Sequence, residues 1–98
     1  MTFTIIFTPK ASEEVDITSD WYQEEAPRAR ARFVEELTAI LERLAYAPRQ
    51  FPIVHKDVRR AVFDRFPYFL VFRIMDAEVH VLACLHSRRN PRHWRRRS

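Results

Sequence analysis

The 98-residue sequence contains no glycine, a single cysteine and only two lysines. The absence of glycine excludes Gly-rich phosphate loops and dinucleotide-binding fingerprints, because those motifs use backbone conformations that only glycine adopts easily. One cysteine, Cys84, allows no internal disulfide, and no apolar run approaches the roughly 18 residues of a membrane span. Hydrophobic residues make up 47% of the sequence and charged residues 31%, a composition that is typical of a globular protein. At this length we expect one core, and we interpret residues 1–98 as a single domain.

Positive charge is concentrated at one end of the sequence. Residues 86–98 contain six arginines and no acidic residue, whereas residues 1–85 contain 11 basic and 13 acidic residues. Arginine accounts for 15 of the 17 basic residues, and its planar guanidinium suits phosphates and carboxylates. The distribution indicates either a polyanionic or acidic partner, including nucleic acid, or a solvated tail that aids solubility.

The first half of the sequence predicts a strand followed by two helices. Residues 2–8 are apolar and β-branched, and Thr8-Pro9 has the cap and first-turn residues of a helix. The first helix carries Trp21 beside its apolar face, and Pro27 is placed to open the second helix, which ends at residues 47–48. The apolar stripe of that second helix consists of Phe33, Leu37, Ile40, Leu41 and Leu44. The short link between the helices predicts an antiparallel helical hairpin.

The second half predicts a loop over residues 48–57 and then three strands, over residues 58–63, 68–74 and 79–85. The last two strands are joined by a turn without glycine, so Asp76 or Ala77 must take the unusual backbone angles. In the last strand we expect Val79, Val81, Ala83 and Leu85 on one face and His80, Leu82 and Cys84 on the other. The predicted fold class is α+β, with the order β-α-α-β-β-β and a helical hairpin packed on a mostly antiparallel four-stranded sheet.

This order of elements, together with several local motifs, resembles the RelE/ParE superfamily of type II toxin–antitoxin toxins. An aromatic pair, Trp21-Tyr22, ends the first helix, and Pro48 follows the second. Residues 58–60 (VRR) and 65–72 (RFPYFLVF) are similar to the family's central strands. Residues 86–94 (HSRRNPRHW) are similar to its closing H-x-x-R-x-P-x-x-W signature. Within the superfamily the sequence is closest to the ParE-like, or plasmid stabilisation, group.

The resemblance implies a bacterial, cytoplasmic toxin that inhibits growth and has no contact with a membrane. A cognate antitoxin protein would wrap the toxin with a helix or an extended segment, which gives a toxin–antitoxin hetero-oligomer. Two mechanisms occur in the superfamily. ParE-type members bind DNA gyrase without catalysing a reaction, and RelE-type members are endoribonucleases that cut mRNA on the ribosome. Whether this chain is an enzyme therefore stays open at this point.

The endoribonuclease mechanism requires activation of a 2′-hydroxyl, stabilisation of a charged phosphorane and a proton for the leaving oxygen. The candidate catalytic residues are Arg60, Arg65, Arg89 and His93, with the histidine as acid or base. RelE-type enzymes place lysines and arginines on the sheet and often a tyrosine or histidine near the C-terminus. Here no lysine pair lies just before the second strand, where only Lys56 is available, and no tyrosine lies near the C-terminus. Because this set is incomplete, the ParE-like mechanism is favoured.

A toxin that acts by binding would contact its target through the basic end and the neighbouring strand. The candidate target-binding residues are Arg59, Arg60, His86, Arg88, Arg89, Arg92 and Trp94. Structural roles are the alternative for three of them. His86 and Arg89 are also suited to pairing with helix carboxylates such as Asp20 or Glu24, and Trp94 is suited to covering the end of the sheet.

No metal or cofactor is expected. Cys84, His80 and His86 contain the right donor atoms for a metal ion. A strand that holds all three on one face, however, spreads residues 80–86 over a row about 20 Å long, which is too long for one ion.

Overall fold

The computed structural model describes residues 2–88 and Arg95. In chain order the elements are β1 (Thr4–Phe7), α1 (Pro9–Glu25), α2 (Pro27–Tyr46), a 3-10 turn (Pro48–Gln50), β2 (Ile53–His55), β3 (Val58–Val62), β4 (Tyr68–Met75) and β5 (Glu78–His86). The strands form a sheet in the order β1-β5-β4-β3-β2. Strand β1 is parallel to β5, and the other neighbouring pairs are antiparallel. The predicted α+β class, with a helical hairpin on a mostly antiparallel sheet, is confirmed.

Both helices begin where their sequences predict. The Thr8 hydroxyl oxygen accepts a hydrogen bond of 3.2 Å from the backbone N–H of Ala11, and Pro9 takes the first helical position. The helical backbone is interrupted at Ala26, with φ of −157°, and Pro27 then begins α2. A connection of one residue folds α2 back beside α1, which forms the predicted hairpin.

The sheet buries apolar side chains on both faces. The face toward the helices packs against Phe33, Leu44 and other residues of the hairpin. On the opposite face a second cluster is buried: Val58, Phe69, Val71, Leu82, Ala83 and Leu85. Strand β4 alternates between the two faces, because Leu70 and Phe72 belong to the helix side while Phe69 and Val71 belong to the other side.

The predicted loop over residues 48–57 is wrong in part, and the sheet has five strands instead of four. The segment contains the 3-10 turn and the edge strand β2. Strand β2 is three residues long, and its pairing with β3 shifts register between Ile53 and His55. So short a strand was not predictable, because the segment contains two prolines, Pro48 and Pro52, and has no regular alternation of polar and apolar residues.

The predicted alternation along the last strand is also wrong beyond Val81. Phe72 of β4 pairs with Val81, but the preceding Val71 pairs with Ala83, so Leu82 is the extra residue of a β-bulge. The bulge reverses the faces that follow. As a result Cys84 packs on the helix side, with Val81, while Ala83 is on the opposite face.

Among the residues that the structure describes, two have the left-handed backbone that glycine would normally take. Asp76, one of the two residues predicted to take unusual backbone angles, has φ of 55° in the β4–β5 turn. Lys56 has φ of 52° in the β2–β3 turn, which was not expected because β2 was not predicted. In the part of the chain that the structure describes, neither helix combines the length and the apolar character that crossing a bilayer requires.

Candidate functional site

An apolar groove opens between α1 and the ends of β4 and β5. Its volume is about 440 Å³, and it is lined by Ile17, Thr18, Trp21, Tyr22, Pro67, Tyr68 and His86. Ile17 and Trp21 stand four residues apart on α1, so they form one ridge along the helix. They are 59% and 54% exposed, respectively, which is unusual for side chains of this size.

The floor of the groove is an aromatic cluster centred on Tyr22. Its ring centroid lies 5.0 Å from Trp21, 5.7 Å from Phe33 and 5.2 Å from Phe66. The contacts with Trp21 and Phe66 are edge-to-face, a favoured aromatic geometry. Burial raises the pKa of Tyr22, and the electrostatic effect of the neighbouring Tyr68 raises it further. The phenol of Tyr22 is therefore uncharged near neutral pH.

The wall formed by the β3–β4 turn is held by α2. One carboxylate oxygen of Glu36 accepts hydrogen bonds from the backbone N–H groups of Asp64, at 2.9 Å, and Arg65, at 3.1 Å. This contact fixes the turn that delivers Phe66 to the aromatic cluster and Pro67 to the groove. The wall therefore depends on a residue outside the groove.

His86 closes the groove at the end of β5. Its ring stands edge-to-face to Tyr68, with centroids 5.2 Å apart, and its Nδ1 accepts a hydrogen bond of 3.1 Å from the backbone N–H of Arg88. Because an amide can only donate, this bond places the ring proton of the neutral imidazole on Nε2. The Nδ1 lone pair of His86 is therefore directed at the backbone of its own segment.

A second, smaller cavity continues from the groove along α1. Its volume is about 270 Å³, and it is lined by Lys10, Glu14, Ile17, Thr18, Tyr68, Cys84, Leu85 and His86. Glu14 Oε1 accepts a hydrogen bond of 3.1 Å from the backbone N–H of Cys84. Burial, together with the charge of Glu14, raises the pKa of the Cys84 thiol to about 12, so the sulfur is a poor nucleophile. Within residues 2–88, no cluster of three His, Cys, Asp or Glu side chains is arranged to hold a metal ion.

The predicted arginines of β3 and its turn do not converge. The Arg59 guanidinium donates to the backbone carbonyls of Arg49, at 3.0 Å, and Phe51, at 2.7 Å. The Arg60 guanidinium lies 5.8 Å from the centroid of the Phe69 ring, on the sheet face away from the helices. Arg65 instead lines a cavity on the α2 side. The three side chains thus occupy three separate environments.

The C-terminal residues of the candidate sets are only partly described. Arg88 is exposed and follows β5. Arg89, Arg92, His93 and Trp94 lie outside the described residues. Desolvation and the positive charges of Arg95 and Lys56 lower the pKa of His55 on β2. Strand β2 lies at the edge of the sheet opposite β1, away from the groove. The charge of Arg95 therefore acts on a part of the sheet that does not line the groove.

Reasoning from the sequence missed most of the groove. It noted Trp21 and Tyr22 but not Ile17, whose spacing of four residues from Trp21 was the available signal. Pro67 and Tyr68 could not have been assigned, because they meet α1 only through the tertiary fold. Of the predicted site residues that the structure describes, His86 alone lines both cavities.

Comparisons with known proteins agree with this architecture. Residues 5–91 match the family model described as the ParE toxin of the type II toxin–antitoxin system parDE. Toxin RelE1 of Caulobacter vibrioides is 31% identical over 89 residues, which cover 89% of this chain and 96% of that protein. A structure of the chromosomal ParDE system from P. aeruginosa superposes with a TM-score of 0.74 at 21% identity, covering 87% of this chain and 96% of that one, and it supports the fold. The chain therefore belongs to the ParE toxin family of type II toxin–antitoxin systems.

Proposed function

We propose that this toxin arrests bacterial growth by binding DNA gyrase in the cytoplasm, without catalysing a reaction of its own. The observation that carries the proposal is that, in the described part of the chain, the histidine of the groove and the arginines of β3 do not meet at one point. His86 has its Nδ1 occupied by the Arg88 N–H, and the guanidiniums of Arg59 and Arg60 are held at different places. Phosphoryl transfer needs a base and clustered positive charge at one point.

The test is a supercoiling assay with purified toxin and gyrase. We expect loss of supercoiling and accumulation of cleaved DNA as the toxin is titrated. The matched control is the same toxin preincubated with the antitoxin encoded beside its gene, which should restore supercoiling. Unchanged supercoiling and cleavage at saturating toxin would exclude gyrase as the target.

We further propose that the antitoxin occupies the apolar groove and forms a hetero-oligomer with the toxin. The exposed ridge of Ile17 and Trp21 supports this, because a helix or extended segment with apolar anchors fits such a groove. An acidic antitoxin would also be attracted by the six arginines of residues 86–98. Co-expression should rescue growth and give a complex that co-purifies.

The alternative function is a ribosome-dependent endoribonuclease. It is favoured by the similarity to a protein named Toxin RelE1, and it would use Arg60, Arg65, Arg89 and His93. Mapping of RNA 5′ ends after induction distinguishes the two functions. New ends within coding sequences that disappear in the Arg89→Ala variant would support cleavage, and intact transcripts during growth arrest would exclude it.

A further inference from the structure

The face of the sheet that points away from the helices is buried, although within residues 2–88 neither helix lies on it. Its apolar cluster contains strand residues, whereas the buried residues of both helices belong to the cluster on the other face. Val58, Val71 and Leu85 of this face are almost fully buried. Side chains on an open sheet face stand out toward water, so burial of this extent requires a covering segment.

The burial is confined to part of this face. Val58 and Val62 are on the same strand, β3, and point to the same side of the sheet, because four residues separate them. Val58 is nevertheless 0% exposed, whereas Val62 is 57% exposed. A layer that covered the whole face would bury both valines, so the cover is a narrow one.

The register of the strands shows where the buried part of the face begins and ends. It begins at Leu85, which pairs with Phe69 close to the end of β5. It passes Val71 of β4 and ends at Val58, the residue that pairs with His55 of β2. The buried part therefore runs diagonally from the end of β5 to the far edge strand. We call it the back strip, and its residues are Val54, Val58, Phe69, Val71, Leu82, Ala83 and Leu85.

Arg95 acts at the far end of the back strip. Desolvation, followed by the positive charge of Arg95, lowers the pKa of His55 on β2. Charges in salt solution interact over about 10 Å, so residue 95 is near β2, whereas Arg88 directly follows β5. Three strand spacings and about 20 Å of strand length make the diagonal about 25 Å long. The seven residue steps from Arg88 to Arg95 can span up to about 25 Å, which is sufficient.

We propose that the chain between Arg88 and Arg95 crosses the back strip and that Trp94 is its apolar anchor. Trp94 is the one large apolar residue of residues 86–98, and it directly precedes Arg95. It therefore falls at the β2 end of the strip, where an indole has the apolar area to cover two valines, Val54 and Val58. Trp94 is then part of the core of the toxin, and the arginines next to it lie on the face opposite the groove.

Tryptophan fluorescence of the full-length Trp21→Phe toxin tests the proposal. The sequence has two tryptophans, so this variant reports on Trp94 alone. We expect its emission to lie at a shorter wavelength than that of the same variant unfolded in urea, and to be quenched less by acrylamide. Emission and quenching equal to those of the unfolded variant would overturn the proposal. A wavelength shift that disappears on dilution would place Trp94 on a second copy of the chain and overturn the assignment to its own sheet.

Cysteines on β3 measure the cover directly. Val58→Cys lies in the back strip and Val62→Cys is its matched control, each in a Cys84→Ala background. We expect Trp94→Ala to accelerate thiol labelling at position 58 at least about tenfold, because the loss of the anchor opens the strip, and to leave the fast labelling at position 62 unchanged. An unchanged rate at position 58 would overturn the role of Trp94. If the combined variant does not fold, the fluorescence measurement decides.

Both measurements use the toxin without gyrase or antitoxin, so this inference and the proposed function fail independently. A toxin that inhibits gyrase while its Trp94 is exposed would refute the cover alone. A toxin with a buried Trp94 and no effect on gyrase would support the cover and refute the proposed target.

Discussion

Glu36 Oε1 accepts a hydrogen bond of 3.1 Å from the backbone N–H of Arg65, so a side chain of α2 fixes the turn between β3 and β4. The same oxygen accepts from Asp64 at 2.9 Å. Two consecutive amides directed at one carboxylate oxygen make a charge-assisted contact, which is stronger than a neutral hydrogen bond. The next two residues after Arg65 form part of the aromatic cluster and the groove wall, so this contact links the stability of the turn to the shape of the groove.

Replacing Glu36 with alanine should lower the free energy of unfolding by about 1–2 kcal/mol, because two backbone donors lose their acceptor at a partly exposed site. Urea denaturation followed by circular dichroism measures the change. Glu35→Ala is the matched control, since Glu35 is exposed on the same turn of α2, and it should change stability by less than about 0.5 kcal/mol. Equal effects of the two substitutions would contradict the role assigned to Glu36.

The buried thiol of Cys84 predicts a loss of stability at alkaline pH. Its pKa is about 12 in the folded protein, against an ordinary value of 9.0. Between these values the unfolded chain releases the thiol proton and the folded protein keeps it, so the unfolded state binds fewer protons and the free energy of unfolding falls as pH rises. The contribution of this one group is at most about 1.4 kcal/mol per pH unit.

Denaturation between pH 9 and pH 10 of the unaltered protein and of Cys84→Ala tests this linkage, because the lysines and tyrosines that also titrate there are present in both proteins. The Cys84→Ala variant should show a shallower decrease of stability over that interval, although its stability at neutral pH is lower. The folded protein should also resist thiol reagents at pH 8 and react once unfolded. Rapid modification of the folded protein would show that the thiol is accessible and would contradict its burial.

Much of the fold was predictable because local patterns agree with the tertiary structure. The start of α1 at Thr8-Pro9, the break at Ala26 and the alternation of β4 each depend on residues close in sequence. The bulge at Leu82 was not predictable, since valine, leucine and alanine in a row suit either face of a sheet that is apolar on both sides. A single extra residue then reversed the faces of the strand's end.

The candidate site was less predictable than the fold because its parts come from distant segments. Trp21 and Pro67 are far apart in sequence and line one groove only because α1 crosses the ends of β4 and β5. Charge pattern also gave no indication that Arg59 bonds to two carbonyls of its own chain while Arg60 faces the opposite side of the sheet. The sequence therefore indicated which residue types are suited to binding, but not which of these residues lie together in the folded protein.

The left-handed conformation of Lys56 predicts a stabilising substitution. A residue with a Cβ pays about 1–2 kcal/mol at φ near 52°, and glycine does not, although glycine loses more entropy on folding. Lys56→Gly should therefore raise the free energy of unfolding by about 0.5 kcal/mol, measured by urea denaturation. Asp76→Gly, at φ of 55°, is the comparison, and it should gain less because aspartate tolerates this region better. Destabilisation by Lys56→Gly alone would mean that the lysine side chain makes a contact that outweighs the backbone strain.

The exposed indole of Trp21 predicts where the antitoxin is bound most strongly. Trp21 is 54% exposed beside Tyr22 at the opening of the groove, and a tryptophan covered at the centre of an interface typically contributes 2 kcal/mol or more. Trp21→Ala should therefore weaken antitoxin binding by roughly thirtyfold in titration calorimetry, while the fold, monitored by amide NMR spectra, is retained. Tyr46→Ala is the matched control, because Tyr46 is 74% exposed at the end of α2 and lines a different cavity. If Tyr46→Ala weakened binding and Trp21→Ala did not, the antitoxin would be bound at the far end of the hairpin instead of the groove.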